Sequence, residues 1–146
     1  MGPQGAAGAP GIVRAGRSAR PVIHLDTSFL IRALARGSRE DRRLRAWLRA
    51  GTLLAMSAIA WAEFLCGPLG AGELELAARV VPEPVPFVAA DSVLAAQLFA
   101  LGGRRRGSLA DCMIAATAIR LGAAVATTNA ADFRCFEAAG LELAAV

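Results

Sequence analysis

Short, continuous apolar segments alternate with longer helical patterns along most of this chain. The apolar segments lack the polar–apolar alternation of a half-exposed strand, so both faces of each strand should be covered. Parallel sheets flanked by helices on both faces have this pattern. We therefore predict an α/β domain with a central parallel sheet of about five strands. The predicted strands are residues 22–25, 52–56, 85–88, 123–127 and 141–145.

The helices between these strands have recognisable boundaries. Ser38 and Ser57 are side chains that can cap a helix start, and glycine or proline follows the predicted helix ends. The predicted helices are residues 27–35, 39–50, 58–66, 73–80, 91–101 and 108–121. Residues 1–20 are rich in glycine and alanine, and we predict a flexible tail there. Residues 21–146 are expected to form one domain.

The charged residues exclude several classes of site. All 16 basic residues are arginines, so the chain lacks the lysine of a Walker A loop or of a Schiff-base enzyme. With one histidine and no Cys-x-x-Cys pair, a zinc site is not expected. The formal net charge is +4, but three arginines lie in the first 20 residues. No apolar segment is long enough to span a bilayer, so we expect a cytoplasmic protein with no membrane contact.

Four acidic residues and one asparagine are candidates for a site. Asp26 and Asn129 follow predicted strands, and ligands of parallel sheets bind beyond the carboxyl ends of strands. Asp111 is in the first turn of a predicted helix, which can face the same edge. Asp132 follows Asn129 closely. Glu63 lies in the apolar segment 58–65, which predicts a mostly buried helix where an unpaired carboxylate is costly.

Each of these residues also has a purely structural interpretation. Asp26 and Asn129 can act as helix N-caps, and Asp111 and Asp132 can occupy the third helical position of a capping box. Glu63 can pair with an arginine. Considered together, however, carboxylates that converge would repel one another unless a cation neutralised them. Oxygen ligands without histidine or cysteine favour Mg²⁺, with Mn²⁺ as a possible substitute, and such sites suit phosphodiester hydrolysis.

The motifs around these acids resemble those of PIN-domain proteins, specifically the VapC toxins of bacterial toxin–antitoxin pairs. The resemblance extends over residues 22–146 and consists of four motifs in order. They are DTSFLI at 26–31, SAIAWAEFLCG at 57–67, ADCMIAATA at 110–118 and ATTNAADF at 126–133.

The resemblance implies a PIN-like fold and a site in which Asp26 and Asp111 are the principal Mg²⁺ ligands. It implies Glu63 as a third acid, while either Asn129 or Asp132 completes the site. It also implies an RNA substrate, a homodimer and an antitoxin that occupies the active-site groove. Candidate substrate contacts are Asn129, Thr27, Arg104, Arg105 and Arg106.

The predicted activity is that of an Mg²⁺-dependent endoribonuclease, in which an activated water attacks the phosphorus and leaves a 5′-phosphate and a 3′-hydroxyl. The alternative is a non-catalytic PIN module that binds RNA or a protein partner; Asn129 in place of an acid is the feature that favours it. A haloacid-dehalogenase-type phosphatase also starts from an aspartate at a strand end. That chemistry needs a second aspartate where this chain has Ser28, and it normally uses a lysine.

Overall fold

The computed structural model describes residues 20–105 and 108–146. All of the predicted tail except Arg20 lies outside the described residues, and so does Arg106.

The strands are β1 (Val22–Leu25), β2 (Leu53–Ala55), β3 (Ala124–Ala126) and β4 (Glu142–Leu143). They form a parallel sheet in the order β2-β1-β3-β4. Strand β1 is central and pairs with both β2 and β3, so that Ile23 lies opposite Leu54 on one side and Ala124 on the other. The order places the carboxyl ends of β1 and β3 side by side.

The prediction of a fifth strand at residues 85–88 was wrong. That segment contributes only one parallel bridge, between Val85 and Ser57. The Val85 amide donates to Met56 O, and the Val85 carbonyl accepts from the Ala58 amide, each at 2.8 Å. Proline residues at 84 and 86 flank Val85 and lack the N–H group that a longer ladder requires.

The helices are α1 (Thr27–Ala33), α2 (Arg39–Arg49), α3 (Ala58–Leu65), α4 (Ala71–Val80), α5 (Ala89–Leu101), α6 (Leu109–Arg120) and α7 (Ala130–Phe133), followed by a 3₁₀ helix (Arg134–Ala139). The first six lie where the sequence predicts them, but α4 and α5 begin two residues before their predicted starts. Glu73 and Asp91 lie in the first turns of these helices, and each carboxylate accepts a 3.0 Å bond from the backbone amide just before its helix, at Gly70 and Val88.

Strand β1 shows that both faces of the sheet are covered. Successive side chains of a strand point to opposite faces, and Ile23, His24 and Leu25 are all buried. This is the arrangement that the continuous apolar strands predicted. The largest fully buried side chains of the core are Phe29, Phe64, Phe133, Phe136, Leu25, Leu30, Met56, Leu98 and Ile114.

Helix α3 is more exposed than its composition predicted. Only Ala60 and Phe64 are buried, whereas Leu65 is 47% exposed and Glu63 is exposed too. The expectation of a mostly buried helix was therefore wrong, because only the face toward α1 and α6 finds packing partners. Apolar composition does not ensure burial, since a domain surface retains much apolar area.

Among the described residues, every helix is too short or too polar to cross a bilayer.

Candidate active site

Asp26 sits where β1 ends, and the sheet holds its backbone in place. Its amide donates to Ala126 O of the neighbouring strand at 2.9 Å, which extends the β1–β3 ladder by one residue. The residue is only 4% exposed. The hydroxyls of Ser28 and Thr127 both donate to its Oδ2, at 2.7 and 2.8 Å. These bonds fix the carboxylate, and both use one oxygen, so Oδ1 has no hydrogen bond from a described residue.

Two backbone amides orient the hydroxyls that contact Asp26. The Thr128 amide donates to Ser28 Oγ at 3.1 Å, and the Asn129 amide donates to Thr127 Oγ1 at 3.0 Å. Each hydroxyl accepts a hydrogen bond from a backbone amide and donates one to the carboxylate of Asp26. The loop after β3 thus orients Asp26 through two parallel hydrogen-bond chains.

Asp111 lies in the first turn of α6, half-buried, and lines a cleft of about 260 Å³. Burial raises the pKa of its carboxyl to about 6, and the charges of Asp26, Glu63 and Asp132 add to the increase. The charge of Arg105 lowers it only in part. Asp111 is thus close enough to the other predicted acids to be affected by each of them.

Glu63 lies on α3 and belongs to the same acidic group. Glu63 as a whole residue is exposed, but its carboxyl group is partly buried. This burial raises the pKa of Glu63, and the charge of Asp26 raises it further. The Thr27 hydroxyl donates to Ala60 O at 2.9 Å and ties the start of α1 to the helix that carries Glu63. Thr27 thereby positions α3, while its contact with a substrate stays a prediction.

Asp132 and Asn129 have different surroundings, although both are exposed in the loop and short helix after β3. Asp132 lines the cleft with Asp111 and contributes to its raised pKa. Asn129 does not line that cleft. The geometry favours Asp132 as the fourth acid of this group.

The predicted basic loop is only partly described. Arg105 lines the Asp111 cleft, and its charge acts on that carboxyl. Arg104 adopts a left-handed backbone, with φ 57°, and its amide donates to Phe99 O at 2.9 Å. Arg106 lies outside the described residues, and its contact with substrate stays a prediction.

The structural interpretations of the acids do not hold. Asp26 and Asn129 precede helices, but neither side chain makes a capping hydrogen bond. Ser108 does not cap α6, because its hydroxyl donates to Arg105 O at 2.7 Å instead. Glu63 forms no ion pair with an arginine among the described residues. Capping and ion pairing therefore leave this acidic group unexplained.

The chemistry of the donors fits a hard divalent cation. The group offers carboxylate oxygens only, and the mutual repulsion expressed in the pKa of Asp111 is what a bound cation would relieve. Among the described residues, no three acidic, cysteine or histidine side chains already stand in coordinating positions. Cation binding would therefore require these carboxylates to turn toward one another, which the exposed Glu63 and Asp132 have room to do.

Sequence reasoning missed the roles of Ser28 and Thr127. The available signal was a hydroxyl residue two positions after Asp26 and another at the end of the strand predicted to be its neighbour. Short hydroxyl side chains often bond to nearby groups in this way. The pairing of β1 with β3 was needed to bring Thr127, which is 101 positions away, to the same oxygen atom.

Known structures share this fold. The chain aligns with VapBC2 from Rickettsia felis bound to a promoter DNA fragment at 20% identity and a TM-score of 0.65, covering 84% of this chain and 97% of the other. VapBC from Salmonella typhimurium bound to DNA aligns at 20% identity and a TM-score of 0.64, covering 85% of this chain and 97% of the other. FitAcB from Neisseria gonorrhoeae aligns at 25% identity and a TM-score of 0.61, covering 83% of this chain and 95% of the other. No curated protein matches the chain in sequence.

The sequence profile of the PIN domain matches residues 23–137. This range contains Asp26, Glu63, Asp111 and Asp132, as well as strands β2 and β3 and all of β1 except Val22. The parallel sheet, the acidic group at its edge and the profile match agree. The chain belongs to the PIN-domain family.

Proposed function

We propose that this protein is an Mg²⁺-dependent endoribonuclease that acts as the toxin of a toxin–antitoxin pair. The observation that carries the proposal is the acidic group of Asp26, Glu63, Asp111 and Asp132. Burial and the charges of Asp26, Glu63 and Asp132 raise the pKa of Asp111, and burial and the charge of Asp26 raise the pKa of Glu63. Carboxyl groups whose pKa is raised by neighbouring carboxylates beside a cleft are typical of functional sites.

Asp26, Asp111 and Glu63 would hold the cation, with Mn²⁺ as a possible substitute for Mg²⁺. When bound, the cation would lower the pKa of a coordinated water and neutralise charge on the scissile phosphate. The protein's own contribution is positional. Ser28 and Thr127 hold Asp26, the bond from Thr27 to Ala60 sets the helix of Glu63, and Asp111 is held by the first turn of α6.

Asp132 is exposed beside Asp111 and can accept a proton from an attacking water or orient it. Arg105, across the same cleft, can bind a phosphate oxygen of the substrate. Water as the nucleophile predicts products with a 5′-phosphate and a 3′-hydroxyl. Asn129, Thr27, Arg104 and Arg106 remain proposed substrate contacts.

The test is cleavage of purified RNA by the purified protein, with and without Mg²⁺, followed by sequencing of the RNA ends. Asp26→Asn is expected to remove activity, while Glu83→Gln, an exposed acid outside the site, should leave it unchanged. A 2′,3′-cyclic phosphate product would contradict the water-based route. Cleavage of DNA but not RNA under the same conditions would contradict the substrate assignment.

The partners follow from what related complexes contain. The VapBC2 structure from Rickettsia felis contains a promoter DNA fragment, and the structures of FitAB and of VapBC from Salmonella typhimurium are also bound to DNA. We expect this chain to form a homodimer and to bind a small antitoxin that blocks the acidic cleft. Coexpression with the product of a neighbouring small gene should give a stable complex that lacks nuclease activity. Robust RNA binding with no cleavage under any divalent cation would favour the non-catalytic alternative instead.

A further inference from the structure

A second cleft, with a lining different from that of the Asp111 cleft, lies beside Thr127, which bonds to Asp26. It has a volume of about 510 Å³ and is lined by side chains from α1, α2, the loop after β3 and the 3₁₀ helix. The lining residues that matter here are Arg32, Arg39, Arg134, Glu40, Thr127 and Thr128. We refer to it as the arginine cleft.

The arginine cleft adjoins the candidate active site at Thr127. The Thr127 hydroxyl donates to Asp26 Oδ2 at 2.8 Å, and the same residue forms part of the cleft wall. Asp111 and Arg105 line the first cleft. Two clefts that contain arginine are therefore next to members of the acidic group.

Positive charge in the arginine cleft is only partly neutralised. Arg32 and Arg134 are exposed and form no ion pair among the described residues. Arg39 is already engaged, because its guanidinium donates to an oxygen of Val146. Glu40 is the one acidic side chain in the lining, against three guanidinium groups. In a domain whose charges nearly balance outside the first 20 residues, this concentration of positive charge is local.

We infer that the arginine cleft binds the sugar–phosphate backbone of the RNA strand on one side of the scissile bond. Guanidinium groups match phosphate oxygens with two parallel hydrogen bonds and remain charged at all relevant pH values. A strand whose scissile phosphate lies at Asp26 and Asp111 must extend away from them on two sides. The Arg105 cleft accommodates one side, and the arginine cleft accommodates the other. This inference rests on the proposed nuclease function.

The proposed role of the arginine cleft is to bind RNA and not to take part in the cleavage reaction, so the first test measures RNA binding. The variant is Arg32→Gln with Arg134→Gln; Arg39 is kept because it also holds the carbonyl of Val146. The matched control is Arg49→Gln with Arg79→Gln, two exposed arginines outside both clefts. Binding of a fluorescent single-stranded RNA is measured in EDTA across a salt series, and thermal unfolding verifies that each variant is folded.

We expect the cleft variant to bind RNA more weakly and to show a salt slope smaller by about 1.4, because each phosphate contact on a single strand contributes about 0.7. The control should keep the slope of the wild type. In cleavage assays the cleft variant should raise KM with little change in kcat. RNAs shortened on one side of the cut should remove the difference between variant and wild type, whereas shortening on the other side should preserve it.

An unchanged salt slope in the cleft variant, in a protein that still cleaves RNA, would overturn this inference and leave the proposed function intact. A variant that binds RNA normally but loses affinity for an acidic segment of a copurified antitoxin would also overturn it, because the cleft would then bind protein. Failure of the wild type to bind or cleave RNA would overturn both.

Discussion

Asp91 on α5 and Asp111 on α6 are both at least partly buried carboxylates in neighbouring helices, but their surroundings differ. Asp91 is 1% exposed, and Arg120 on α6 contacts both of its oxygens, at 2.7 and 3.1 Å. The Thr117 hydroxyl and the Val88 amide complete its hydrogen bonding. Asp111, at the opposite end of α6, is affected by three other acids, and among the described residues the charge of Arg105 opposes them only in part.

The pKa shifts express this difference. Burial alone would raise the pKa of Asp91, but the bonds from Arg120, Val88 and Thr117 together with the charge of Arg120 hold it below its ordinary value. Nothing comparable offsets burial at Asp111, whose pKa is raised to about 6. A carboxylate with its own cation stabilises packing between helices, whereas one without a cation is available for binding a ligand.

The largest expected effect separates activity from stability at these two positions. Asp111→Asn should reduce RNA cleavage at least about 100-fold, or about 2.7 kcal/mol, because it removes a proposed cation ligand. Its stability should be equal to or greater than that of the wild type, since one repelling charge is gone. Cleavage rates and urea unfolding measured on the same preparation test both statements.

In the same experiment Asp91→Asn serves as the matched control. Cleavage per folded molecule should be retained, since Asp91 lies outside both clefts. If Asp111→Asn were fully active, or if Asp91→Asn were inactive while folded, the contrast between the two carboxylates would be lost.

Asp91→Asn is expected to lower the free energy of unfolding by about 2 kcal/mol, the contribution of hydrogen bonds to a charged group. Arg120→Met should destabilise more, because it leaves a buried carboxylate with no cation. The depressed pKa of Asp91 supplies stability above the ordinary aspartate range that is lost as the pH falls through the folded pKa. Urea titrations at several acidic pH values should show a weaker pH dependence in Asp91→Asn; an unchanged dependence would contradict this role.

A smaller effect is expected from the cation itself. Mg²⁺ at ten times its Kd should raise the free energy of unfolding by about 1.4 kcal/mol, because it binds the folded state alone. Asp91→Asn should keep this increase, and Asp111→Asn should lose most of it. Thermal unfolding with and without Mg²⁺ at constant ionic strength measures the difference. An equal shift in both variants would indicate a general salt effect and not a site at Asp111.

The smallest effect concerns His24 on the central strand β1. It is fully buried, and neither ring nitrogen has a hydrogen-bond partner among the described residues. Burial lowers the pKa of His24 to about 4, and the charge of Arg120 adds to the decrease. His24→Leu should stabilise the fold by about 1 kcal/mol at neutral pH, because it removes unsatisfied polar atoms.

The pH dependence of that variant provides a second measurement. His24 is neutral when folded but takes up a proton in the unfolded chain below its ordinary pKa of 6.5, so wild-type stability falls as the pH drops from about 6.5 toward 4. His24→Leu lacks this contribution, and its advantage should grow over that range. Destabilisation by His24→Leu at neutral pH would instead mean that the imidazole makes a favourable contact.

Much of the fold could be predicted because local signals agreed. Ser38 and Ser57 cap α2 and α3 with side-chain bonds of 2.9 and 3.0 Å, as their positions predicted. The prediction of a fifth strand was wrong because it considered only the apolar pattern, whereas Pro84 and Pro86 have no N–H group to donate. The prediction that α3 is mostly buried was wrong because composition does not determine how many other elements pack against a helix.

The sequence predicted which residues belong to the candidate site but not how their side chains are arranged. The order of the four motifs pointed to Asp26, Glu63, Asp111 and Asp132, and their assignment as catalytic residues stays a prediction. Capping accounted equally well for Asp26 and Asp111 in the sequence, and only the coordinates show that the capping bonds are not made.

By itself, the sequence determined that short apolar strands would form a covered parallel sheet, because continuous apolar segments cannot remain half in water. It also determined that a carboxylate, Asp26, would follow the first of those strands. Only the tertiary structure decided which carboxylate would be neutralised. Arg120 reaches Asp91 from 29 positions away and Thr127 reaches Asp26 from 101, and such pairings depend on how helices and strands pack, which no local pattern encodes.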